Sequence, residues 1–356
     1  MYQGQNKRYI EAAMDWLCHA QDVSKDGGVA GWYSFRRGWS PSYPETTGYI
    51  IPNFFEYHKK TQNEEYRKRA IRMSDWLVSI QMASGAFQSH IIGSKPEPRV
   101  FNTGMILFGL VRAFVETNDE KYLCSAKRCG DFLIGTQDDD GAWRRYAYNG
   151  FAHSYYSRIS WGLLALGGAA GDGRYIECAR KNLDWTLTNM GENFWFENTA
   201  FEKGKNPYTH TIAYLLEGLL ESGDILKDGR YIESAKGAAE RLMLVFESRH
   251  FMPGDFDQKW RGNFNYTCLT GDAQISIVWQ KIYRLTGDAR FLNASLKMND
   301  HLKAKQMKFP VKAMRGGMPG SYPIWGAYHP FWLPSWATKF FIDALSAEDE
   351  IMPALG

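Results

Sequence analysis

The usual signatures of compartment and partner are scarce in these 356 residues. Cysteine is sparse: Cys18, Cys124, Cys129, Cys178 and Cys268 are odd in number and show no CxxC spacing, which argues against a disulfide framework and for reduced core thiols in a cytoplasmic protein. Neither sign of charge dominates. The 42 basic and 39 acidic residues leave a net charge of +3, too balanced for a protein that grips nucleic acid through many phosphate contacts. No apolar run approaches the ~18 residues of a membrane span. The first residues, MYQGQNKRYIEAAMDWL, carry charges where a secretory leader needs an apolar stretch. No low-complexity linker divides the chain, so one domain over residues 1–356 is expected. Nothing in the pattern calls for a cofactor or a metal.

What the chain has in excess is aromatic side chains, 15% of the residues with 13 tryptophans among them, and an internal repeat. GYIIPNFFEYHKKTQNEEYRKRAIRMSDWLVSIQ, NTGMILFGLVRAFVETNDEKYLCSAKRCGDFLIGTQ and SRISWGLLALGGAAGDGRYIECARKNLDWTLTN share one grammar, and two further copies follow from His210 and Gly271. An apolar helix leads through a short Gly/Asn/Asp turn into an amphipathic one. The first helix of each pair belongs inside and the second outside. WATKFFIDAL at 336–345 is an inner helix without a partner, and NKRYIEAAMDWLCHAQ at 6–21 is an outer one. Joining them completes six hairpins in a closed ring, an all-α (α/α)6 toroid, whose inner helices are expected to begin near residues 46, 102, 154, 209, 270 and 336.

The phrase TQDDDGAW at 136–143 recurs as IQMASGAF at 80–87 without its acids. It resembles the QW motif of the terpene cyclase and protein prenyltransferase toroids, in which an outer helix ends in Gln and an aromatic after a Gly locks the turn. Under that resemblance Asp138, Asp139 and Asp140 are turn residues.

Long segments return from each outer helix to the next inner one, and loops of that length in a compact fold usually carry function. They place Glu45, Asn102, His153, Tyr156, Arg158, His210 and Asp272 at the starts of inner helices, where the helix dipole and free N–H groups favour anions. Tryptophans crowd the same segments: Trp32, Trp39, Trp143, Trp195, Trp260, Trp325 and Trp332, with Tyr266 among the other rings. Aromatic faces suit the C–H faces of a sugar, and Arg36, Arg37, Arg99, Arg144, Arg145, Lys259, Arg261 and Arg315 favour an acidic one. Each polar position also has a plain structural reading, as helix cap or satisfied core histidine.

Three chemistries follow. A glycoside hydrolase would pair Glu45 with Asp272, with Asp140, Glu197 and Asp255 as further carboxylates. A uronate lyase or C5 epimerase would neutralise the sugar carboxylate with Asn102 or Arg158 and abstract a proton with His153, Tyr156 or His210. Trp39, Trp143, Trp195, Trp260, Tyr266 and Trp325 are the candidate stacking surfaces in either case. A terpenoid cyclase lacks its DxDD acid motif here, and a prenyltransferase lacks the third zinc ligand after Cys268 and Asp272. A non-catalytic glycan-binding ring is the remaining alternative.

In architecture the chain resembles the six-hairpin glycosidases over nearly its whole length. YPETTGYIIP, RVFNTGMILFGL, YTCLTGDAQ and GSYPIWGAYHPFWLPSWATKFFIDAL also resemble a bacterial group associated with cell-surface and exopolysaccharide gene clusters. That group more often carries Asp where Asn102 stands. The resemblance implies an enzyme that cleaves glycosidic bonds in an acidic poly- or oligosaccharide, a glycoside hydrolase first and a polysaccharide lyase second.

Overall fold

The computed structural model describes residues 4–352, which contain twelve α-helices. Six are inner: α2 (Pro44–Thr61), α4 (Val100–Thr117), α6 (Ser157–Ala170), α8 (Thr209–Leu226), α10 (Leu269–Thr286) and α12 (Ser335–Ile351). Six are outer: α1 (Lys7–Ser24), α3 (Glu64–Ile80), α5 (Glu120–Thr136), α7 (Gly173–Thr188), α9 (Gly229–Arg249) and α11 (Ala289–Lys305). Each inner helix packs on the next, α12 returns to α2, and α1 packs on α12. The chain is an (α/α)6 toroid. The inner helices begin within three residues of their expected starts; the largest offset is at α6, where a single 3-10 turn, Ser154–Tyr156, precedes the helix.

Short turns cap one face by a repeated device. Asn63, Asp119, Asp172, Asp228 and Asp288 each accept a hydrogen bond from the backbone N–H two residues on, opening the outer helix. The residue ending the preceding inner helix is left-handed in each case, at Gln62, Asn118, Gly171, Lys227 and Gly287.

The outer helices are tied to one another by glutamine. Gln137 Nε2 donates to the Gly141 and Cys178 carbonyls at 3.0 and 2.9 Å, spanning its own turn and the next outer helix. Gln21, Gln81 and Gln306 make the same pair of bonds in their own repeats. The glycine is required: Gly141 has φ +90°, and a Cβ there would lie 2.3 Å from the Lys181 carbonyl oxygen. Trp143 is fully buried below this turn and donates to the Leu133 carbonyl. Asp138 and Asp140 face solvent and pair with Arg144 at 2.8 and 2.7 Å. The acidic triplet is therefore a turn.

By length and composition α4 could cross a membrane, contrary to the reading that no segment approaches that character; it is an inner helix of the ring and mostly buried.

The long segments cover the other face and add short antiparallel ribbons. β1 (Trp32–Ser34) lies between β2 (Gly38–Trp39) and β5 (Trp332–Pro334), while β3 (Thr267–Cys268) pairs with β4 (Ser321–Tyr322). In this way the segment before α2 is joined to the one before α12.

Candidate functional site

Side chains at the inner-helix starts and from the covering segments enclose a cavity of about 590 Å³. Its size is that of a small-ligand site. Glu45, on the first turn of α2 after Pro44, lies in its wall and is itself buried. The Tyr43 hydroxyl donates to Glu45 Oε2 at 2.9 Å. Burial nevertheless dominates and pushes the carboxyl up to about 7; the Tyr43 bond and the Arg158 charge only moderate the rise.

Asn102 on α4 lines the cavity and donates to the Gln88 carbonyl at 3.3 Å. His210, on the first turn of α8, lies against Tyr214 one turn further on, with ring centroids 4.2 Å apart. Burial pushes His210 down to about 3, and the nearby His329 and Arg158 act in the same sense, so its imidazole is neutral. Gly271 lets α10 pack closely on the start of α8, since a Cβ there would meet the His210 backbone nitrogen at 2.6 Å. His329, just ahead of α12, is neutral for the same reason, burial, which lowers it to about 4. Phe101, Tyr155, Phe201, Trp332 and Trp336 are among the aromatic residues of the wall, and Arg99 and the exposed Glu202 also reach it.

Of the catalytic residues expected from sequence, the cavity gathers Glu45 and His210 and leaves out His153, Tyr156 and Asp272. His153 is completely buried, with both ring nitrogens against backbone carbonyls, of Ala200 at 3.1 Å and of Tyr148 at 2.8 Å. It ties two covering segments together. Tyr156 accepts a hydrogen bond from the Tyr148 N–H through its hydroxyl. Asp272 turns back to accept from the Thr267 hydroxyl, and complete burial raises it well above the usual carboxylate range.

Among the expected binding residues Asn102 lines the cavity, whereas Arg158 is paired with Glu217 in the interior, its guanidinium 5.0 to 5.4 Å from the rings of Phe108, Trp161, Tyr214 and Phe340. Strand alternation explains Trp39. It pairs with Tyr33 in register and packs on Trp16, while Trp32 points to the opposite face and stacks on Trp332 at 4.3 Å. Trp143 locks its turn. Trp195 and Trp260 meet edge to face at 5.2 Å, and Trp260 donates to the Asn193 carbonyl. Tyr266 donates to Asp255 at 2.9 Å behind the cavity, and Trp325 is 67% exposed outside it. Asp140 is salt-bridged at its turn, Asp255 is tied to Asn206, Asn263 and Tyr266, and Glu197 also lies away from the cavity. Of the eight basic loop residues singled out from sequence, Arg99 is the one that lines the cavity.

Sequence reasoning missed His329, Tyr43, Tyr214 and Tyr328. His329 lies in an irregular segment at φ +52°, outside the repeat register that pointed to the others.

No family model matches the sequence. A curated relative, uncharacterized protein B0495.5 of Caenorhabditis elegans, is 28% identical over 220 residues, 53% of this chain and 29% of that protein's length. The match thus spans less than a third of the relative. Among solved structures, an unsaturated glucuronyl hydrolase specific for heparin superposes with a TM-score of 0.77 at 16% identity, covering 98% of this chain and 97% of that one. Cellobiose 2-epimerase from Spirochaeta thermophila gives 0.75 at 13% identity, covering 96% and 95%. D-mannose isomerase gives 0.74 at 10% identity, covering 96% of both chains. The likeness to these structures is one of fold, the (α/α)6 toroid.

Proposed function

We propose that this chain is a carbohydrate-active enzyme that transfers protons on an acidic sugar in the mouth cavity, with Glu45 as general acid–base. The carrying observation is Glu45 itself, a buried carboxyl in an aromatic-walled cavity that titrates at about 7. A group titrating near the operating pH is the one best matched to proton transfer. Trp332, Tyr155 and Phe201 offer stacking faces, Asn102 and Ser89 offer hydrogen bonds to hydroxyls, and Arg99 offers the charge for a carboxylate. The solved neighbours named for glucuronyl hydrolysis, cellobiose epimerisation and mannose isomerisation support the sugar class.

Between reaction types, the wall favours abstraction of a proton from sugar carbon, as in a uronate lyase or C5 epimerase. His210 and His329 are neutral imidazoles in the same cavity as Glu45, whereas Asp272, the carboxylate expected as partner in a two-carboxylate hydrolase, faces elsewhere. Glycoside hydrolysis is the second reading, favoured by Glu202, whose exposed side chain reaches the cavity and could activate water. The test is incubation with acidic and neutral bacterial oligosaccharides in heavy water. Deuterium at C5 without cleavage identifies an epimerase, and unsaturated-uronate absorbance a lyase. New reducing ends alone establish the hydrolase; binding with none of these signals leaves a glycan-binding ring and overturns the enzyme reading.

A further inference from the structure

Gln274 sits on α10, behind His210, and both side chains are buried. His210 Nδ1 lies 2.6 Å from Gln274 Oε1. An amide oxygen is an acceptor only, so the imidazole nitrogen facing it must carry the proton. A neutral imidazole has one N–H, and the hydrogen bond at one nitrogen therefore sets the state of the other.

We infer that Gln274 is a positioning residue: it holds His210 as the Nδ1–H tautomer and presents Nε2 to the cavity as a proton acceptor. This rests on the proton-transfer reading above. In the forward step the C5–H bond of a hexuronate breaks and its proton passes to His210 Nε2. The electron pair moves into the sugar carboxylate, whose charge Arg99 neutralises. Glu45 then returns a proton to C5 from its neutral carboxyl, leaving imidazolium and carboxylate that exchange with solvent to reset the pair. No oxidant or reductant is consumed. An amide serves this task because it orients the ring without adding charge. A carboxylate in its place would favour the imidazolium and raise the pH at which the ring titrates.

The groups around His210 are consistent with a neutral ring. His329 and Tyr328 approach from the segment before α12, with Tyr328 at 5.4 Å between ring centroids; Arg158 acts from α6, Tyr214 lies on α8, and Phe340 comes from α12. Asp272 and Cys268, both raised by burial, belong to the same end of α10 as Gln274. No acidic side chain is among the groups that act on His210, whose ring is lowered by burial and by the nearby His329 and Arg158.

The full chain with isotope-labelled histidine, read by long-range proton–nitrogen correlation at neutral pH, tests the tautomer without any ligand. His210 is expected as Nδ1–H in the wild type, and Gln274→Leu should lose that preference with the fold retained by circular dichroism and a thermal midpoint lowered only by the lost buried hydrogen bond. Gln274→Glu, which keeps the shape, should raise the pH at which His210 titrates and carry the acid limb of activity upward with it. Deuterium uptake at C5 of a hexuronate disaccharide should fall on the order of tenfold to a hundredfold in kcat for Gln274→Leu, with KM little changed. An Nε2–H tautomer in the wild type, which a reversed Gln274 amide would produce, overturns the inference. So does a tautomer that Gln274→Leu leaves unchanged, or a changed tautomer with unchanged turnover. Full turnover in Glu45→Gln would instead overturn the underlying reaction reading, while leaving the tautomer result intact.

Discussion

At the scale of the residue, the direction a buried polar side chain takes separates Glu45, Asn102 and His210, which line the cavity, from Arg158 and Asp272, which turn into the interior. Glu45 is the group in the cavity whose carboxyl burial raises most usefully, to about 7 from an ordinary 4.5. The folded state therefore retains a proton that the unfolded chain has lost between those values. Its contribution to stability is fully present below about 4.5 and is lost as pH rises through 7, on the order of a few kcal/mol. Glu45→Gln keeps the neutral shape and removes this pH dependence. It should abolish turnover, match the wild-type thermal midpoint near pH 5 (roughly, within the protonated range) and exceed it in alkaline buffer. A midpoint that falls in alkaline buffer would contradict the buried neutral acid. Arg158 supports the opposite prediction. Paired with Glu217 and ringed by aromatics, it is a core ion, so Arg158→Ala should cost roughly 3–5 kcal/mol in denaturant unfolding by stranding the Glu217 charge. The sequence placed Glu45, Asn102 and His210 at the mouth because they occupy inner-helix starts. It placed Arg158 and Asp272 there by the same rule, although the first runs into the core and the second turns back to Thr267. Position along a helix is legible from the repeat; rotation about the axis requires the packing. One residue of offset turns a side chain by roughly 100°.

At the scale of the element, the ring is held by devices the sequence states openly. The period of apolar helix, polar turn and amphipathic helix survives in every copy because each hairpin faces the same neighbours. The Gln-to-Gly bond survives in four of the six copies, at Gln21, Gln81, Gln137 and Gln306, and the Gly-Ala-aromatic ending in two of them, at Phe87 and Trp143. Gln137→Ala would free the Gly141 and Cys178 carbonyls from their shared donor, at about 1–3 kcal/mol, with turnover unchanged because the turn lies away from the cavity. Replacing Asp138, Asp139 and Asp140 with Asn removes only exposed pairs with Arg144, worth about 0–1 kcal/mol each. Activity should persist, and its loss in a folded triple variant would make the acidic turn part of the site. The covering segments were harder to read. Their tryptophans are too numerous for one cavity, and composition alone could not separate Trp32 and Trp332, which stack at its wall, from Trp143 and Trp260, which donate to carbonyls beneath turns.

At the scale of the whole molecule, closure makes α1 an ordinary member of the outer ring despite its distance from α11 along the chain. Gln306, at the end of α11, donates to the Tyr9 carbonyl of α1 at 2.9 Å and to the Gly316 carbonyl at 3.1 Å. This is the bond pair that Gln137 makes between α5 and α7. A Cβ at Gly316 would lie 1.9 Å from the Ala12 carbonyl oxygen, so the seam is as tight as any other. The inner seam is closed as well. Ser335 donates to Gly31 at 2.9 Å, and β1 runs antiparallel to β5 from Trp32 opposite Pro334 to Ser34 opposite Trp332. The cavity depends on this closure, because Trp32, Tyr43 and Glu45 come from one side of the seam and Tyr328, His329, Trp332 and Trp336 from the other. If the seam is equivalent to the other joints, Gln306→Ala should lower stability by the same about 1–3 kcal/mol as Gln137→Ala, and denaturant should still unfold the chain in one transition. An open solenoid with loose ends would behave differently. Gln306→Ala would then cost little, and α1 would exchange its amide hydrogens long before α6 and α8. Hydrogen exchange resolved by helix separates the cases, since in a closed ring the inner residues of α1, such as Met14 and Leu17, both completely buried, should exchange on the timescale of the core.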